Sequence, residues 1–353
     1  MAEQKRIIFL YSELANYFLV CVKQLQKQYN TQIHVIHWPV NPEAPFRFEL
    51  DIPGVKFYEK KAFPNSQLIN LVHAINPHLI YCSGWMDKEY LAVCKMYRSK
   101  IPVVSGLDTP WQGNFKQQLR AFASKFTIKK CFSHLWIAGK PQLKYAQKLG
   151  YDQKHILDGV YSADVDYFES IYQRIHSKKE TSFPKRFIYV GRYLEFKGIY
   201  DLWSAFKKAN EQVTDKWELW CLGTGADWDK RVEDPYIKHM GFIQPDEMER
   251  YLEQTAVFVL PSKFEPWAVA LHEFAAAGFP VICSNKVGAA TKFVETKKNG
   301  FIFSAGSVPE LSNCLLSFMK MPQAQIREMG ENSRVLAQAM TPTTWASTII
   351  SVL

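Results

Sequence analysis

The 353-residue sequence lacks any uninterrupted run of 18 apolar residues, so a bilayer-spanning helix is not expected. Its first residues also lack the apolar stretch of a signal peptide, and residues 7–11 are predicted to form a β-strand instead. The seven cysteines are scattered without a C-x-x-C pair, which argues against a disulfide framework or a zinc site and favours a reducing cytosol. No G-x-G-x-x-G fingerprint is present, so a nicotinamide cofactor is not predicted.

The positive charge of the chain is confined to its first half. Residues 1–180 contain 24 lysines and arginines against 15 aspartates and glutamates, whereas residues 181–353 contain 19 of each kind. A basic half suits nucleic acid, an anionic membrane surface or an acidic substrate. Charge alone does not choose among these three partners.

Short apolar runs alternate with helical patterns along the whole chain. In the first half the predicted strands are 7–11, 32–37, 79–82, 103–105 and 135–138, and the predicted helices include 17–28, 66–75 and 88–98. In the second half the predicted strands are 187–190, 218–222, 257–260, 281–283 and 300–303, and the predicted helices are 200–210, 245–254, 267–277 and 309–319. Two such series predict an α/β protein with two doubly wound, Rossmann-like domains.

The domain boundaries follow from these two series. We expect a first domain over residues 1–165, a polar surface helix and linker over 166–184, and a second domain over 185–340. A renewed apolar pattern after Pro342 predicts a terminal helix, 341–353, that packs back toward the first domain. Functional residues are expected just after the strands, because doubly wound sheets bind ligands at the carboxyl ends of their strands.

A helix start follows the strand 257–260. Pro266 is a favourable first helical residue, and Gly278 stands where a C-terminal cap belongs. The unpaired backbone amides of Trp267, Ala268 and Val269 would then form an anion site together with the helix dipole.

Two glutamates accompany this helix start. Glu265 lies at its mouth, and Glu273 lies eight residues further along. Carboxylates accept hydrogen bonds from pairs of hydroxyls. One helix could therefore bind a sugar near Glu265, a phosphate at the backbone amides and a ribose near Glu273. The spacing of two glutamates arises by chance in a chain of this length, and the ordered context of Pro, Ser, Glu, Gly and Pro residues carries the interpretation.

Two earlier loops add cations and glycines. Arg192 and Lys197 follow Gly191 just beyond a strand, where two positive charges can neutralise a diphosphate, although surface positions are the commoner fate of such residues. Gly223 and Gly225 form a Gly-x-Gly that lets the backbone approach a nucleotide, or that only makes a tight turn.

These three elements, in this order, resemble the second domain of the family 4 glycosyltransferases, a retaining family with the GT-B fold. The resemblance continues through residues 240–243 and 298–302 and covers roughly residues 150–320, including a segment at 160–164 similar to the interdomain segment of the family. It implies a GT-B architecture, with two Rossmann-like domains facing a central cleft.

The resemblance also implies roles for individual residues. Arg192 and Lys197 correspond to a diphosphate-binding pair, Glu265 to a glutamate facing the donor sugar, and Glu273 to one that binds ribose hydroxyls. The backbone of residues 267–269 corresponds to the cradle of the donor. The implied reaction is a retaining, metal-independent transfer from a nucleotide sugar, expected to be a UDP- or GDP-sugar, without a further cofactor. The N-terminal domain would hold a glycan, glycolipid or lipid-linked acceptor.

The first domain departs from the family pattern in two places. The loop at residues 11–18 has no glycine, so Asn16 and Tyr17, with Trp111, are predicted to lie on the acceptor side instead. Asp108 stands near the position of a histidine common in the family. We predict that Asp108 acts as a base or as a hydrogen-bond partner of the donor sugar, with a simple turn cap as the alternative.

Two further segments have competing interpretations. Asp164 and Asp166 have the spacing of a metal-binding Asp-x-Asp, but the resemblance accounts for Asp164 and no metal site is predicted. Residues 115–132 combine an apolar stripe with a cationic face, which indicates either an ordinary helix on the core or a helix on an anionic membrane. The expected location is accordingly the cytoplasm. If residues 115–132 bind a membrane, the protein is expected to attach peripherally at the inner face of the cell membrane.

Four other functions compete with glycosyl transfer. A nucleotide-sugar epimerase of the same fold would turn over the donor without an acceptor, and a phosphorylase would need a much longer chain. A nucleic-acid-binding protein would leave Glu265 and Glu273 unexplained, and no nucleic-acid module is recognisable. A catalytically silent sugar-nucleotide sensor is disfavoured by the retained Arg192 and Lys197.

Overall fold

The computed structural model describes residues 4–41, 45–64 and 66–353. These residues form two compact units. The first consists of the described residues up to Ser162 together with Met340–Leu353, and the second is Ala163–Ala339. The C-terminal segment therefore belongs to the first unit. Residues 166–184, expected as a linker, belong to the second.

A parallel sheet forms the centre of the first unit, with seven strands among the described residues. In chain order the strands are β1 (Arg6–Tyr11), β2 (Gln32–His37), β3 (Val55–Glu59), β4 (Leu79–Cys82), β5 (Val103–Leu107), β6 (His134–Ile137) and β7 (Ile156–Asp158). Their order across the sheet is β3-β2-β1-β4-β5-β6-β7. The winding direction therefore reverses between β1 and β4.

The second unit repeats this plan with a parallel sheet of six strands within residues 163–339. The strands are β8 (Arg186–Val190), β9 (Glu218–Leu222), β10 (Ile237–Gly241), β11 (Val257–Leu260), β12 (Val281–Ser284) and β13 (Gly300–Phe303). Their order is β10-β9-β8-β11-β12-β13, so the reversal lies between β8 and β11.

Helices connect the strands in both units. In chain order they are α1 (Asn16–Tyr29), α2 (Ser66–Ile75), α3 (Lys88–Tyr97), α4 (Phe115–Ala123), α5 (Ile128–Cys131), α6 (Lys140–Lys148), α7 (Val165–Thr181), α8 (Ile199–Glu211), α9 (Glu249–Glu253), α10 (Val269–Ala276), α11 (Ala290–Phe293), α12 (Val308–Lys320), α13 (Gln323–Ala337) and α14 (Pro342–Ile350). Within the described ranges, none of them combines the length and apolarity of a bilayer-spanning segment.

The inner strands carry the hydrophobic cores. Every residue of β4, β11 and β12 is buried, as expected for parallel strands covered by helices on both faces. Each unit has its own core cluster around its sheet. Six of the seven free thiols are buried as small apolar side chains.

The strands missed by the sequence prediction all lie at sheet edges. In β3, β7 and β10 only the first residue is buried, namely Val55, Ile156 and Ile237. Half-exposed edge strands lack the continuous apolar run of the inner strands, so pattern alone does not find them.

The segment 115–132 is not one continuous helix. It consists of α4, a single 3-10 turn over Ser124–Phe126, and α5. Two features accompany the break. The buried Ser124 hydroxyl donates to the Leu149 carbonyl oxygen at 2.7 Å, and Thr127 leaves the helical region at φ −122°, ψ −83°. In the segment 166–184, predicted as a surface helix and linker, the structure has the helix α7, Val165–Thr181.

Candidate active site

The candidate residues of the second unit gather where the winding of its sheet reverses. The strands β8 and β11 are neighbours, and both loops leave the sheet at the same carboxyl edge. Gly191, Arg192 and Lys197 follow β8, and Glu265 follows β11. This is the position at which open α/β sheets bind ligands.

Lys197 and Glu265 form an ion pair at this edge. The Lys197 Nζ lies 2.5 Å from the Glu265 Oε2, and the two side chains are 17% and 14% exposed. The Ser262 hydroxyl donates to the same carboxylate oxygen at 3.2 Å. Each of these largely buried charges stabilises the other, because either one alone would remain desolvated without an opposite charge.

Close packing of the two loops makes this pair possible. Lys197 ends a 3-10 turn, Glu195–Lys197, and Gly198 follows in the left-handed region at φ +73°. A Cβ atom on Gly198 would collide with the carbonyl oxygen of Pro261. Glycine at this position therefore lets the loop after β8 approach the loop after β11.

Arg192 precedes Lys197 in the loop after β8 and is exposed. Its carbonyl oxygen accepts a hydrogen bond from the Tyr189 hydroxyl at 2.8 Å. Burial raises the pKa of Tyr189 well above its ordinary value, and the nearby Glu265 carboxylate raises it further. Tyr189 is therefore a neutral donor that fixes the backbone at Arg192.

The glycines of the site join two neighbouring loops. Gly223, at φ +128°, follows β9, and a Cβ atom on it would collide with the carbonyl oxygen of Gly191. The Gly191 amide donates to the Leu222 carbonyl oxygen at 3.0 Å. Gly225 accepts from the Trp228 amide at 3.0 Å and so closes a turn. The structure thus brings Gly191 and Gly223 together, with Gly225 in the turn beyond.

The helix after β11 begins later than predicted. α10 starts at Val269 rather than Pro266. The Glu265 and Trp267 carbonyl oxygens accept from the amides of Gly288 and Ala289 at 3.0 and 2.9 Å, so residues 265–267 pair with the neighbouring loop and cannot enter the helix. This tertiary pairing is invisible in the local sequence.

The backbone amides predicted to bind an anion lie at this junction. Ala268 has φ +87° and ψ +88°, which is rare for a residue with a Cβ atom. In the described part of the chain, the amides of Trp267, Ala268 and Val269 donate to no other residue. Strained backbone with free donors is typical of functional sites. The Trp267 ring is buried and its Nε1 has no hydrogen-bond partner.

Glu273 lies in the middle of α10 and is half-buried. Burial, together with the nearby Asp164 carboxylate, raises the pKa of Glu273 to about 7. Asp164 itself caps α7 by accepting from the Tyr167 amide at 3.1 Å. A ligand whose hydroxyls hydrogen-bond to a half-buried carboxyl group offsets the free-energy cost of desolvating that group.

His272 has a structural environment, unlike its neighbour Glu273. It is fully buried and stacks on Phe293 at a centroid distance of 4.0 Å. Its Nδ1 accepts from the Ala163 amide at 3.1 Å, and its Nε2 lies 2.8 Å from the Ala337 carbonyl oxygen. Burial lowers the pKa of His272 to about 4. The ring is therefore neutral and joins three segments of the second unit.

In the first unit, Asp108 lies just beyond β5 and is half-buried. Its carboxylate accepts from the Thr109 hydroxyl at 3.2 Å and from the Tyr161 hydroxyl at 3.4 Å. A turn cap would accept from backbone amides, and these donors are side-chain hydroxyls. The role of Asp108 toward the donor sugar stays a prediction.

A group of tyrosines surrounds this carboxylate. Tyr17 packs edge-on against Tyr161 at 5.7 Å between ring centroids. Burial raises the pKa of Tyr161 well above its ordinary value, and Asp108 raises it further. Burial likewise raises the pKa values of Tyr11 and Tyr81, which the nearby Tyr17 raises further. The structure thus brings Asp108 and Tyr17 into one hydroxyl-rich cluster.

The other acceptor-side candidates have different surroundings. Asn16 is the first residue of α1 and is half-exposed. Trp111 packs against Tyr145, with ring centroids 5.5 Å apart, and lies partly buried on the core of the first unit. Among the residues that the structure describes, no group of three or more His, Cys, Asp or Glu side chains is arranged to hold a metal ion.

Comparison with known families matches residues 184–321 to the family described as Glycosyl transferases group 1. The match covers less than half of the chain. It contains every candidate residue of the second unit, from Gly191 to Glu273.

Two curated relatives are similar to part of this chain. An uncharacterized glycosyltransferase of Haemophilus influenzae is 23% identical over 163 residues, which is 44% of this chain and 44% of the relative. An uncharacterized glycosyltransferase of Methanocaldococcus jannaschii is 31% identical over 123 residues, which is 33% of this chain and 31% of the relative. The chain thus spans less than half the length of these relatives.

Solved structures match the chain over its whole length. The structure of Anabaena HepE in complex with UDP has a TM-score of 0.74 at 16% identity and 98% coverage of both chains. Its complex with UDP-glucose has a TM-score of 0.72 at 16% identity and 99% coverage of both chains. The chain has the GT-B fold. The architecture predicted from the sequence is confirmed.

Sequence reasoning missed several residues at these two sites. Tyr189 is the fourth residue of a buried strand and resembles an ordinary core residue until its hydroxyl is located. Ser262 belongs to the motif after β11, but its bond to Glu265 depends on the loop conformation. Tyr161 is 53 residues from Asp108, so only the fold brings the two together.

Proposed function

We propose that this protein is a glycosyltransferase that moves a sugar from a nucleotide-sugar donor to an acceptor. The ion pair between Lys197 and Glu265 at the reversal point of the second sheet carries this proposal. A cation and a carboxylate held together at this edge suit a diphosphate and the hydroxyls of a sugar. The family match over residues 184–321 and the similar folds of UDP-bound structures support the same activity.

The donor diphosphate is assigned to the cationic part of this site. Lys197, Arg192 and the amides of residues 267–269 are all donors, and none of them carries negative charge. In the transfer step, the bond between the sugar and the diphosphate breaks and negative charge develops on the leaving diphosphate. Donors fixed in advance at this point lower the barrier, typically by about 3–4 kcal/mol per donor.

The two glutamates are assigned to hydroxyl groups of the donor. Glu265 would accept hydrogen bonds from the transferred sugar while holding Lys197 in position. Glu273 would bind the ribose hydroxyls, which would supply the partners that its half-buried carboxyl group lacks. We expect a UDP- or GDP-sugar as donor and no further cofactor.

Three finer features belong to this proposal. Transfer proceeds with retention at the anomeric carbon, as the resemblance to family 4 implies, and NMR of the first-formed product would report the anomer directly. Arg192 and Lys197 supply the positive charge that a metal would otherwise provide, so activity should survive EDTA. An inverted product or EDTA-sensitive activity would contradict these assignments.

We assign acceptor binding to the first unit. Tyr17, together with the half-exposed Tyr161, presents hydroxyls that suit the hydroxyl groups of a glycan, glycolipid or lipid-linked acceptor. Asp108, which accepts from Tyr161, is proposed as the base or as a hydrogen-bond partner of the donor sugar. An Asp108→Asn variant, whose amide cannot act as a base, should lose turnover. Full turnover in this variant would remove Asp108 from the active site.

A thermal-shift screen tests the proposal. The wild type is heated with UDP, GDP, ADP or dTDP, with and without their sugars, because a ligand of the native state raises its melting temperature. One nucleotide should stabilise the wild type and the Lys208→Ala control, which removes an exposed lysine of α8, but not Lys197→Ala. No stabilisation by any nucleotide would contradict the proposal.

A further inference from the structure

Helix α4 presents its apolar residues to the solvent. Phe115, Leu119 and Phe122 are 78%, 56% and 85% exposed, whereas Gln117 is 5% exposed. At about 100° per residue, the three apolar side chains share one face, and Gln117 points to the opposite side. This arrangement is the reverse of an ordinary core helix, which the sequence left as one alternative for this segment.

Polar contacts hold the helix in this orientation. The Gln117 Oε1 accepts from the amides of Gln112 and Gly113 at 2.7 and 3.1 Å, and its Nε2 donates to the Pro110 carbonyl oxygen at 2.9 Å. Asn114 caps the helix by accepting from the Gln117 amide at 3.0 Å. The outward direction of the phenylalanines is therefore fixed by the chain itself.

The apolar surface continues beyond α4. Phe126, in the following 3-10 turn, is 67% exposed. The Arg120 guanidinium of α4 lies over the Trp85 ring at 5.9 Å, and the residue after Trp85, Met86, is 86% exposed.

The chain segment that contains this surface carries only positively charged side chains. Residues 109–151 contain no aspartate or glutamate. The same residues contain eight basic side chains: Lys116, Arg120, Lys125, Lys129, Lys130, Lys140, Lys144 and Lys148. Apart from Lys129, which donates to the Gly150 carbonyl oxygen, these charges suit an extended anionic surface.

We propose that Phe115, Leu119, Phe122 and Phe126 insert into the interface of an anionic lipid bilayer, with the surrounding lysines on its headgroups. Protruding aromatic residues in a segment whose only charges are positive match the apolar and charged layers of such an interface. Pairing with a second copy through the same face would bring like charges together. This proposal does not rest on the donor site, and its test is a binding measurement independent of activity.

Sedimentation with vesicles tests the proposal. The wild type should sediment with vesicles of phosphatidylcholine containing one third phosphatidylglycerol, and not with pure phosphatidylcholine. The double variant Phe115→Ser/Phe122→Ser should bind at least about tenfold more weakly, since binding scales with the inserted apolar area. The control Val335→Ser removes a side chain that is 72% exposed in the second unit and should bind like the wild type.

Charge is tested with a second pair of variants. Lys116→Glu/Lys125→Glu should lose binding to the anionic vesicles, whereas Lys208→Glu/Lys320→Glu, exposed lysines of the second unit, should retain it. All four positions are at the surface, so the variants should keep the wild-type melting temperature. The proposal is overturned if the wild type does not bind anionic vesicles at low salt. It is equally overturned if the serine variant binds undiminished, or if it abolishes a dimer of the wild type instead of vesicle binding.

Discussion

Lys197 Nζ lies 2.5 Å from Glu265 Oε2, although 68 residues separate the two side chains along the chain. The loops that carry them follow β8 and β11, the two strands between which the second sheet reverses its winding. The pair keeps a cation in place at the point where a diphosphate is proposed to bind. Incoming phosphate oxygens would share this lysine with Glu265.

Removing the lysine should affect both catalysis and folding, because Glu265 is left largely buried without its partner. In Lys197→Ala, we expect kcat/KM to fall by about 10²–10³-fold, because one preformed donor to the leaving diphosphate is lost. Steady-state kinetics with the donor identified by the thermal-shift screen measure this effect. Lys208→Ala is the matched control and should keep wild-type kinetics. Equal kinetics in both variants would remove Lys197 from the mechanism.

A pair of glycine substitutions separates loop approach from backbone strain. Gly198 and Gly306 have similar left-handed conformations, at φ +73° and +83°, but only at Gly198 would a Cβ atom collide with a neighbouring carbonyl oxygen. Gly306→Ala should lower the free energy of unfolding by about 1–2 kcal/mol and leave activity intact. Gly198→Ala should cost more stability and also disturb the Lys197–Glu265 pair. Denaturant unfolding and kinetics measure both effects, and equal behaviour of the two variants would contradict the proposed role of Gly198.

Glu273 makes the free energy of unfolding depend on pH between 4.5 and about 7. Its pKa is about 7 in the folded protein against 4.5 for the free side chain, so the folded state holds the proton more tightly. The contribution of Glu273 to the free energy of unfolding is greatest below pH 4.5 and is lost as the pH rises through 7. Glu273→Gln should therefore be more stable than the wild type above pH 7, by about 1–2 kcal/mol, with the difference shrinking toward pH 4.5.

Thermal unfolding across this range measures the effect of Glu273. The same variant should bind the donor more weakly, because it replaces a proposed ribose acceptor. A variant that is less stable than the wild type at high pH would show that Glu273 is compensated within the protein.

His272 gives the opposite dependence. Its pKa is about 4 in the folded protein against 6.5 for the free side chain, so the unfolded state takes up the proton first as the pH falls. The contribution of His272 to the free energy of unfolding is complete above pH 6.5 and declines as the pH falls from 6.5 toward 4. His272→Gln, which keeps one donor and one acceptor but does not titrate, should weaken this acid sensitivity. An unchanged stability profile between pH 4 and 6.5 would contradict this account.

The sequence predicted the parts of the fold that local pattern controls. The inner strands of both sheets are continuous apolar runs and were predicted, whereas the edge strands β3, β7 and β10 were not, because most of their residues are partly exposed. The start of α10 was placed three residues early, since Pro266 favours a helix locally but its neighbours pair with residues 287–289 in the fold.

The candidate sites show the same limit. The order of motifs after β8, β9 and β11 indicated which loops carry the site, and the fold brings Lys197 and Glu265 together there. The partners of Asp108 and Glu265, such as Tyr161 and Ser262, depend on tertiary contacts that no spacing encodes. The outward face of α4 depends on the hydrogen bonds of a single glutamine, Gln117.

A crystal structure of the protein with the nucleotide diphosphate selected by the thermal-shift screen tests the central claim most directly. We predict phosphate oxygens within about 3 Å of Lys197 Nζ and of the amides at residues 267–269, with the ribose hydroxyls on Glu273. A nucleotide bound elsewhere, such as on the basic surface of the first unit, with the Lys197–Glu265 pair untouched, would contradict the account.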